Sequence, residues 1–508
     1  MDQQKTRWNS TLLAVMAFAT AMIFAVTVPA MAQDTRQVSE PKIPPACIQL
    51  PAHLRAMGNK LRARDESKLD TLRIQKAIDA CGPGKSVELR LSGDNDALLT
   101  GPLEMRSGVT LLVDKGVTLF GSRNPADYEY PSSKPGPGLC GTILPARPQG
   151  NSPRREGVGQ PSGYRTASGT RPGAGRILGC RPLISIIDAK NVGIMGDGVI
   201  DGRGYATILG KDYSWWQLAR RAEPGNQRYL NPRMIVARNA DGLVLYRITL
   251  HNSTNYHVSV SGTNGFTAWG VHILTPTTRG MDARNTDGID PGSSTNITVA
   301  QSWIDNGDDN IAIKTGVSHM SVIDNHFYDG HGMSIGSETF TGDSDLLVDG
   351  LSEDHTTSGI RIKSNVTRGG LVHDLVYRNI CMREVANPIA ISPYYNNQTV
   401  EGFVDPGLKG NRIPDYKGIT IENVTDTTAG NVLLAGYDDA HRTEVKLNGV
   451  YIRGITPAQV HGEFATATVG PLGTNLNFDQ TQIKVVPAAA KALTGPAYTC
   501  TGKFPPMQ

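Results

Sequence analysis

Three carboxylates fall in the chain at spacings that could move protons. Asp287 lies in Asn285-Thr286-Asp287-Gly288-Ile289-Asp290, and Asp308 and Asp309 follow in Asn306-Gly307-Asp308-Asp309-Asn310, 21 and 22 residues later. If one turn of a repeating structure takes about that many residues, Asp287 stacks beside the pair. Mutual repulsion then raises the proton affinity of at least one of the three, so that an acid and a base coexist at neutral or mildly acid pH. His331, in Gly330-His331-Gly332, comes 23 residues after Asp308, and Arg361-Ile362-Lys363 begins 30 residues after His331. Because residues two apart on a strand point to the same side, the two cations project together. Taken singly, each residue has a plain structural reading. Asp and Asn in turns hydrogen-bond backbone amides, as expected here of Asp290 and Asp305; a His between glycines is a turn residue, and an Arg-x-Lys pair is a solvated strand edge. Recurrence at one interval is what argues for a common site.

Such an interval demands a repeating fold. The frame Asn191-Val192-Gly193-Ile194 recurs as Gly242-Leu243-Val244-Leu245, Asn296-Ile297-Thr298-Val299, His319-Met320-Ser321-Val322 and Gly418-Ile419-Thr420-Ile421. In each, a turn residue precedes alternating apolar positions. The first four apolar starts are 51, 54 and 23 residues apart, one or two coils of about 25 residues. Consistent Asn-Gly hairpin signals are missing, which argues against a sandwich. The expected fold is a single-stranded right-handed parallel β-helix whose stacked coils present one long face suited to a linear polymer. Near the N-terminus, Asp70 can cap a short helix in which Leu72, Ile74, Ala77 and Ile78 share a face and Cys81-Gly82 ends it. No other long helix is predicted, and strands are expected at Val87 to Leu91 and Val109 to Val113.

The chain has 508 residues, 39% hydrophobic and 19% charged, with Gly 56 and Pro 31, a globular rather than collagenous or disordered composition. Fifty Lys plus Arg against 47 Asp plus Glu give +3, too balanced for the electrostatic footprint of a nucleic-acid binder. Lys5 and Arg7 precede an uncharged run from Ser10 that closes on Ala30-Met31-Ala32, the pattern of a cleaved signal peptide rather than of a membrane anchor. Residues 1–32 are therefore assigned to the signal, leaving 33–508 as one catalytic β-helix with no membrane contact after cleavage, secreted and monomeric. Export permits disulfides, and none of Cys47, Cys81, Cys140, Cys180, Cys381 and Cys500 forms a CxxC pair. Pairing Cys47–Cys81 and Cys140–Cys180 would close modest loops; Cys381 and Cys500 pair or stay free. Between Cys140 and Cys180, residues 141–179 hold nine Gly, five Pro, six Arg and one acid, Glu156. That is a loop composition, readable as a solvated flap or as a basic lip for an anionic substrate. Asn-x-Thr sequons at Asn252, Asn296, Asn365, Asn397 and Asn423 are incidental products of Asn- and Thr-rich turns.

The strings Asn285-Thr286-Asp287, Gly307-Asp308-Asp309, Gly330-His331-Gly332 and Arg361-Ile362-Lys363, in that order, resemble the signature segments of the glycoside hydrolase family 28 polygalacturonases. Ser214-Trp215-Trp216, Phe266-Thr267-Ala268-Trp269, Ala283-Arg284 and Met333-Ser334-Ile335-Gly336-Ser337-Glu338 extend the likeness over most of the chain from about residue 36. The resemblance implies a right-handed β-helix that degrades pectin, with no cofactor and no metal. It makes Asp308 the general acid, Asp287 and Asp309 the residues that activate water, and His331 the group that holds or exchanges the acid's proton. Arg361 and Lys363 would pair with galacturonate carboxylates, and Asn285 would orient the substrate or Asp287. One of Tyr394 and Tyr395 resembles the family's subsite tyrosine. Inversion is implied, with acid and base about 6.5–9.5 Å apart to admit a water. The implied reaction is endo-cleavage of α-1,4-linked polygalacturonan in de-esterified pectin. An exo-acting enzyme releasing mono- or digalacturonate is the near alternative, should the 141–179 segment close the cleft. A calcium-dependent lyase would need a different constellation of groups, and a non-catalytic pectin-binding solenoid would have no use for three convergent, mutually repelling acids.

Overall fold

The left-handed backbone region costs most residues free energy, and Gly, Asn, Asp and His enter it most readily. Gly242, Gly265, Asn296, His319, Asp345, Asp374 and Gly418 all adopt it, with φ between 54° and 86°. Each hands the chain to an apolar residue: Leu243, Phe266, Ile297, Met320, Leu346, Leu375 and Ile419 are register partners in one parallel ladder, and all are buried. This is why the turn-plus-apolar frame is visible in the sequence. Each of these seven coils repeats the same corner and stacks one more side chain in the core, and each such burial is worth about 1.5–3 kcal/mol.

The computed structural model describes residues 33–58, 60–131, 138–145, 179–224, 227–275, 283–395, 410–479, 482–487 and 491–507. The chain divides into two units, 1–31 and 32–508; the first, with the predicted signal segment, lies outside the described residues. The second is the right-handed parallel β-helix expected. Its strands form a 22-stranded and an 11-stranded sheet, with a two-stranded antiparallel ribbon of Ile143–Leu144 against Arg228–Tyr229 beside them. The 11-stranded sheet carries the chemistry. In spatial order its central strands are Ile235–Arg238, Val258–Ser261, Ile289–Gly292, Ile311–Ile313, Met333–Gly336 and Ser358–Lys363, all parallel.

Helix α1 (Thr71–Ala80) buries Ile74, Ala77 and Ile78 in the same apolar cluster as Val87 and Leu89. Leu72, expected on that face, is 76% exposed: position 72 lies two residues from Ile74, on the opposite side of the helix. Asp70 occupies the N-cap position but its carboxylate serves the tertiary structure, accepting from Leu99 N–H and from Arg73. Helix α2 (Trp215–Ala222), absent from the sequence reading, is started by a capping box in which Ser214 accepts from Gln217 N–H and Gln217 from Ser214 N–H. It buries Trp215 edge-on to Tyr128 and ties Trp216 Nε1 to Ser253 O at 2.8 Å, so both tryptophans serve packing. All six cysteines are bridged, as Cys47–Cys81, Cys140–Cys180 and Cys381–Cys500. The second bond brackets the basic insertion, of which residues 146–178 lie outside the described residues.

Candidate active site

Adjacent strands of the 11-stranded sheet are held about 4.8 Å apart by backbone hydrogen bonding, and this fixes how far apart side chains at equivalent positions can lie. Asp287 precedes the strand Ile289–Gly292, and Asp308 and Asp309 precede its neighbour Ile311–Ile313, with Ile289 paired to Ile311. One oxygen from each of the three carboxylates lies within 4.8 Å of the others. The acids therefore converge as the spacing predicts, the strand repeat bringing their nearest oxygens together.

Each acid has a different environment. Asp309 is 1% exposed, and Lys363 Nζ donates to its Oδ2 at 2.7 Å and Oδ1 at 3.0 Å, with Arg361 at 3.1 Å and Ser334 Oγ at 2.9 Å from Oδ1. Burial pushes its proton affinity up, but Lys363, Arg361 and Lys314 outweigh burial and hold it well below the usual carboxylate range. Asp287 is also buried, yet its Oδ1 has no hydrogen-bond partner among the described residues and its nearest cation, Lys314, is 4.0 Å from Oδ2. Burial first, then the charges of Asp290 and Asp308, push it well above the usual range. The half-buried Asp308 accepts three N–H groups: Asn285 N and Nδ2 at Oδ2, both 3.2 Å, and Asp309 N at Oδ1, 2.9 Å. Its backbone carbonyl accepts from His331 N–H at 2.9 Å.

Asn285 thus orients Asp308, not Asp287, and is itself fixed by Tyr229 O–H at 2.8 Å. His331 anchors its ring to Thr357 through Nδ1, 2.6 Å. Arg361 and Lys363 project together as predicted, but onto Asp309, and they are only 2% and 6% exposed. Tyr395 packs beside them, with Lys363 Nζ 5.5 Å from its ring centroid. Tyr394 turns the other way: its hydroxyl donates to Gly436 O at 3.2 Å and its ring joins a small cluster with Leu433, Ala435 and Tyr437. Tyr394 is therefore a packing residue, and Tyr395 is the tyrosine at the site.

Several neighbours were not anticipated. Asp290, expected to bond a turn, lies in a strand with both carboxylate oxygens unpartnered among the described residues, and burial pushes it up to about 7. Asp305 is likewise in a strand, with one oxygen unpartnered. Lys314 lies between Asp287 and Glu338, 3.9 Å from the latter, and donates to Gly336 O. Its signal was legible: Ile311-Ala312-Ile313-Lys314 repeats the pattern of Ile360-Arg361-Ile362-Lys363. His257 sits beneath Asp287 with Nδ1 3.1 Å from the carbonyls of Thr286 and Asp287 and Nε2 2.7 Å from Thr275 Oγ1. Burial pushes it down to about 4, so it is a neutral prop whose Nδ1 proton points at the carbonyls. No spacing in the sequence points to it.

Three converging carboxylates could together hold a cation, but the buried Arg361 and Lys363 and the partly buried Lys314 already face them. The arrangement suits acid–base work: cations lower the proton affinity of one carboxylate while burial and neighbouring acids raise that of another within reach.

The model of the family described as glycosyl hydrolases family 28 matches residues 172–469. An endo-polygalacturonase of Pectobacterium carotovorum subsp. carotovorum is 36% identical over 451 residues, 88% of this chain and 96% of that one. A polygalacturonase of Ralstonia solanacearum is 33% identical over 93% of this chain and 90% of its own. The solved polygalacturonase of Erwinia carotovora ssp. carotovora superposes with a TM-score of 0.68 at 35% identity, over 89% of this chain and 99% of that one. With the family model spanning more than half of the chain and these relatives nearly all of it, the chain belongs to glycosyl hydrolases family 28 and is a glycoside hydrolase.

Proposed function

We propose that the protein is an endo-acting polygalacturonase that hydrolyses α-1,4-galacturonosidic bonds of de-esterified pectin with inversion. The observation that carries this reading is the convergence within 4.8 Å of a carboxylate whose proton affinity neighbouring cations lower, Asp309, and one whose proton affinity burial raises, Asp287, on one face of the sheet. Burial raises the proton affinity of Asp287 and Asp290, the two carboxylates that neighbour one another beside Asp308. Asp308 faces the cleft and delivers the shared proton to the glycosidic oxygen, and His331 beside it restores that proton. Asp309, with Asp287, orients and deprotonates the water attacking the anomeric carbon from the opposite face. The attacking water bridges Asp287 and Asp309, whose nearest oxygens lie within 4.8 Å of each other, beneath the sugar. Arg361 and Lys363, paired with Asp309 and flanked by Tyr395, add positive charge at this end of the triad that draws the sugar carboxylate. The bridging of all six cysteines supports an oxidising, extracellular destination, as does the predicted signal segment.

A timed digestion of polygalacturonic acid with chelator present tests the reading. Fast viscosity loss, mixed saturated oligomers, no absorbance from unsaturated products and initial appearance of the inverted anomer by NMR are expected. Release of only mono- or digalacturonate would replace endo with exo action, unsaturated products would indicate a lyase, and no cleavage would leave a pectin-binding solenoid.

A further inference from the structure

On the side of the triad opposite to Arg361 and Lys363, a cation stands without an ion pair among the described residues, the buried Asp290 being an acid that its charge acts on from a distance. Arg233 lies two residues before the strand Ile235–Arg238, two strands from Ile289–Gly292 and therefore roughly 10 Å along the sheet from the coil of Asp287. Its guanidinium lies 4.1 Å from the ring centroid of Tyr256, and its only side-chain hydrogen bond among the described residues is a long one, 3.4 Å, to Ser259 Oγ. It is half-buried, and among the described residues it forms no ion pair. Every other cation around the triad is engaged: Lys314 with Asp287 and Glu338, Arg284 with Glu223, Arg361 and Lys363 with Asp309, Arg368 with Glu338.

The groups beside Arg233 are of the kind that hold a sugar. Tyr256 offers a ring already stacked under the guanidinium, and Tyr229 stands next to it, its hydroxyl accepting from Asn255 Nδ2 at 3.2 Å and donating to Asn285. Aromatic rings with polar neighbours bind pyranose faces, while a planar guanidinium matches a carboxylate with two parallel N–H bonds. A polyanion lying along the sheet would bring a carboxylate over this position.

We propose that Arg233, supported by Tyr256 and flanked by Asn255 and Tyr229, is a carboxylate-binding subsite that engages a galacturonate unit remote from the scissile bond, on the N-terminal side of the triad. The subsite rests on the polygalacturonase reading and adds to it a length requirement: only a chain long enough to reach Arg233 while spanning the triad gains from it. Its pairing partner is the carboxylate itself, so a methyl ester at that unit forfeits the contact.

The test measures kcat and KM for wild type, Arg233→Met and Arg233→Lys on oligogalacturonates from trimer to hexamer, with pH profiles for each. Arg233→Met is expected to raise KM about tenfold on the longest oligomers, with kcat, the pH profile and the shortest cleaved oligomer unchanged. Arg233→Lys, which keeps charge but not the fork, is expected to fall between. Equal losses at every length, or a displaced pH profile, would overturn the subsite and make Arg233 a counter-charge for the acids. Unchanged KM for either variant on all lengths would also overturn it while leaving the polygalacturonase reading intact, whereas a wild type that cleaves none of the oligomers would remove that reading itself. Should Arg233→Met fail to fold, the lysine variant alone decides, since an unaltered length dependence in it sinks the bidentate contact.

Discussion

On the C-terminal flank of the triad, Arg361 and Lys363 are buried and direct their N–H groups at Asp309; on the N-terminal flank, Arg233 is half-buried, stacked on Tyr256 and paired with no acid among the described residues. The same residue types in the same sheet thus serve different ends. A cation desolvated against a carboxylate sets that carboxylate's protonation state, because each neutralises the other in a medium that screens poorly. A cation left in contact with solvent keeps its charge available to a ligand, at little cost in desolvation. Position in the cleft, more than residue identity, separates the group that tunes the catalyst from the group that reads the substrate.

Three substitutions would break or sharpen that contrast. Asp308→Asn has the largest expected effect, lowering kcat by ~10²–10⁴-fold with binding of polygalacturonate retained; calorimetric titration beside single-turnover rates checks it, and near-normal turnover would take the acid role from Asp308. Lys363→Met comes next. Asp309 is held low by a cation, so removing that cation raises its proton affinity, and the acid limb of kcat/KM moves to higher pH while kcat falls about tenfold or more at the optimum. An unmoved acid limb with a raised KM would mean that Lys363 serves the substrate alone. Tyr394→Phe has the smallest effect. It removes a hydroxyl bonded to Gly436 O, at a cost of about 1 kcal/mol in denaturant titration, and leaves kcat and KM within experimental error; a clear kinetic defect would return Tyr394 to the site.

The sequence made the coils legible because the corner is chemically narrow: Asn296, His319 and Gly418 occupy the left-handed region that few residue types tolerate. It made the triad legible because Asp287, Asp308 and Asp309 recur at the coil length. Lys314 was present in the pattern but masked by its resemblance to an ordinary strand end, and Asp290 was lost among turn aspartates that look the same in one dimension. Tyr229, Arg233 and His257 carry no periodic mark. They come to the site through burial and hydrogen bonds between residues as far apart as Tyr229 and Asn285, a relation that spacing along the chain does not encode. Helix α2 escaped because eight residues are too few for a periodic stripe, although its Ser214 and Gln217 capping pair stood in plain view.

The bond between Cys140 and Cys180 holds the two ends of the basic insertion 5.1 Å apart. In the oxidised chain that ring is closed whether the protein is folded or not, so the entropy of bringing its ends together is the same on both sides of the folding equilibrium. The length of the insertion then drops out of the stability of the coils. Segments of other lengths can be exchanged between these two cysteines without retuning the stability of the coils, which makes the position a natural place for evolution, or an engineer, to insert new chain.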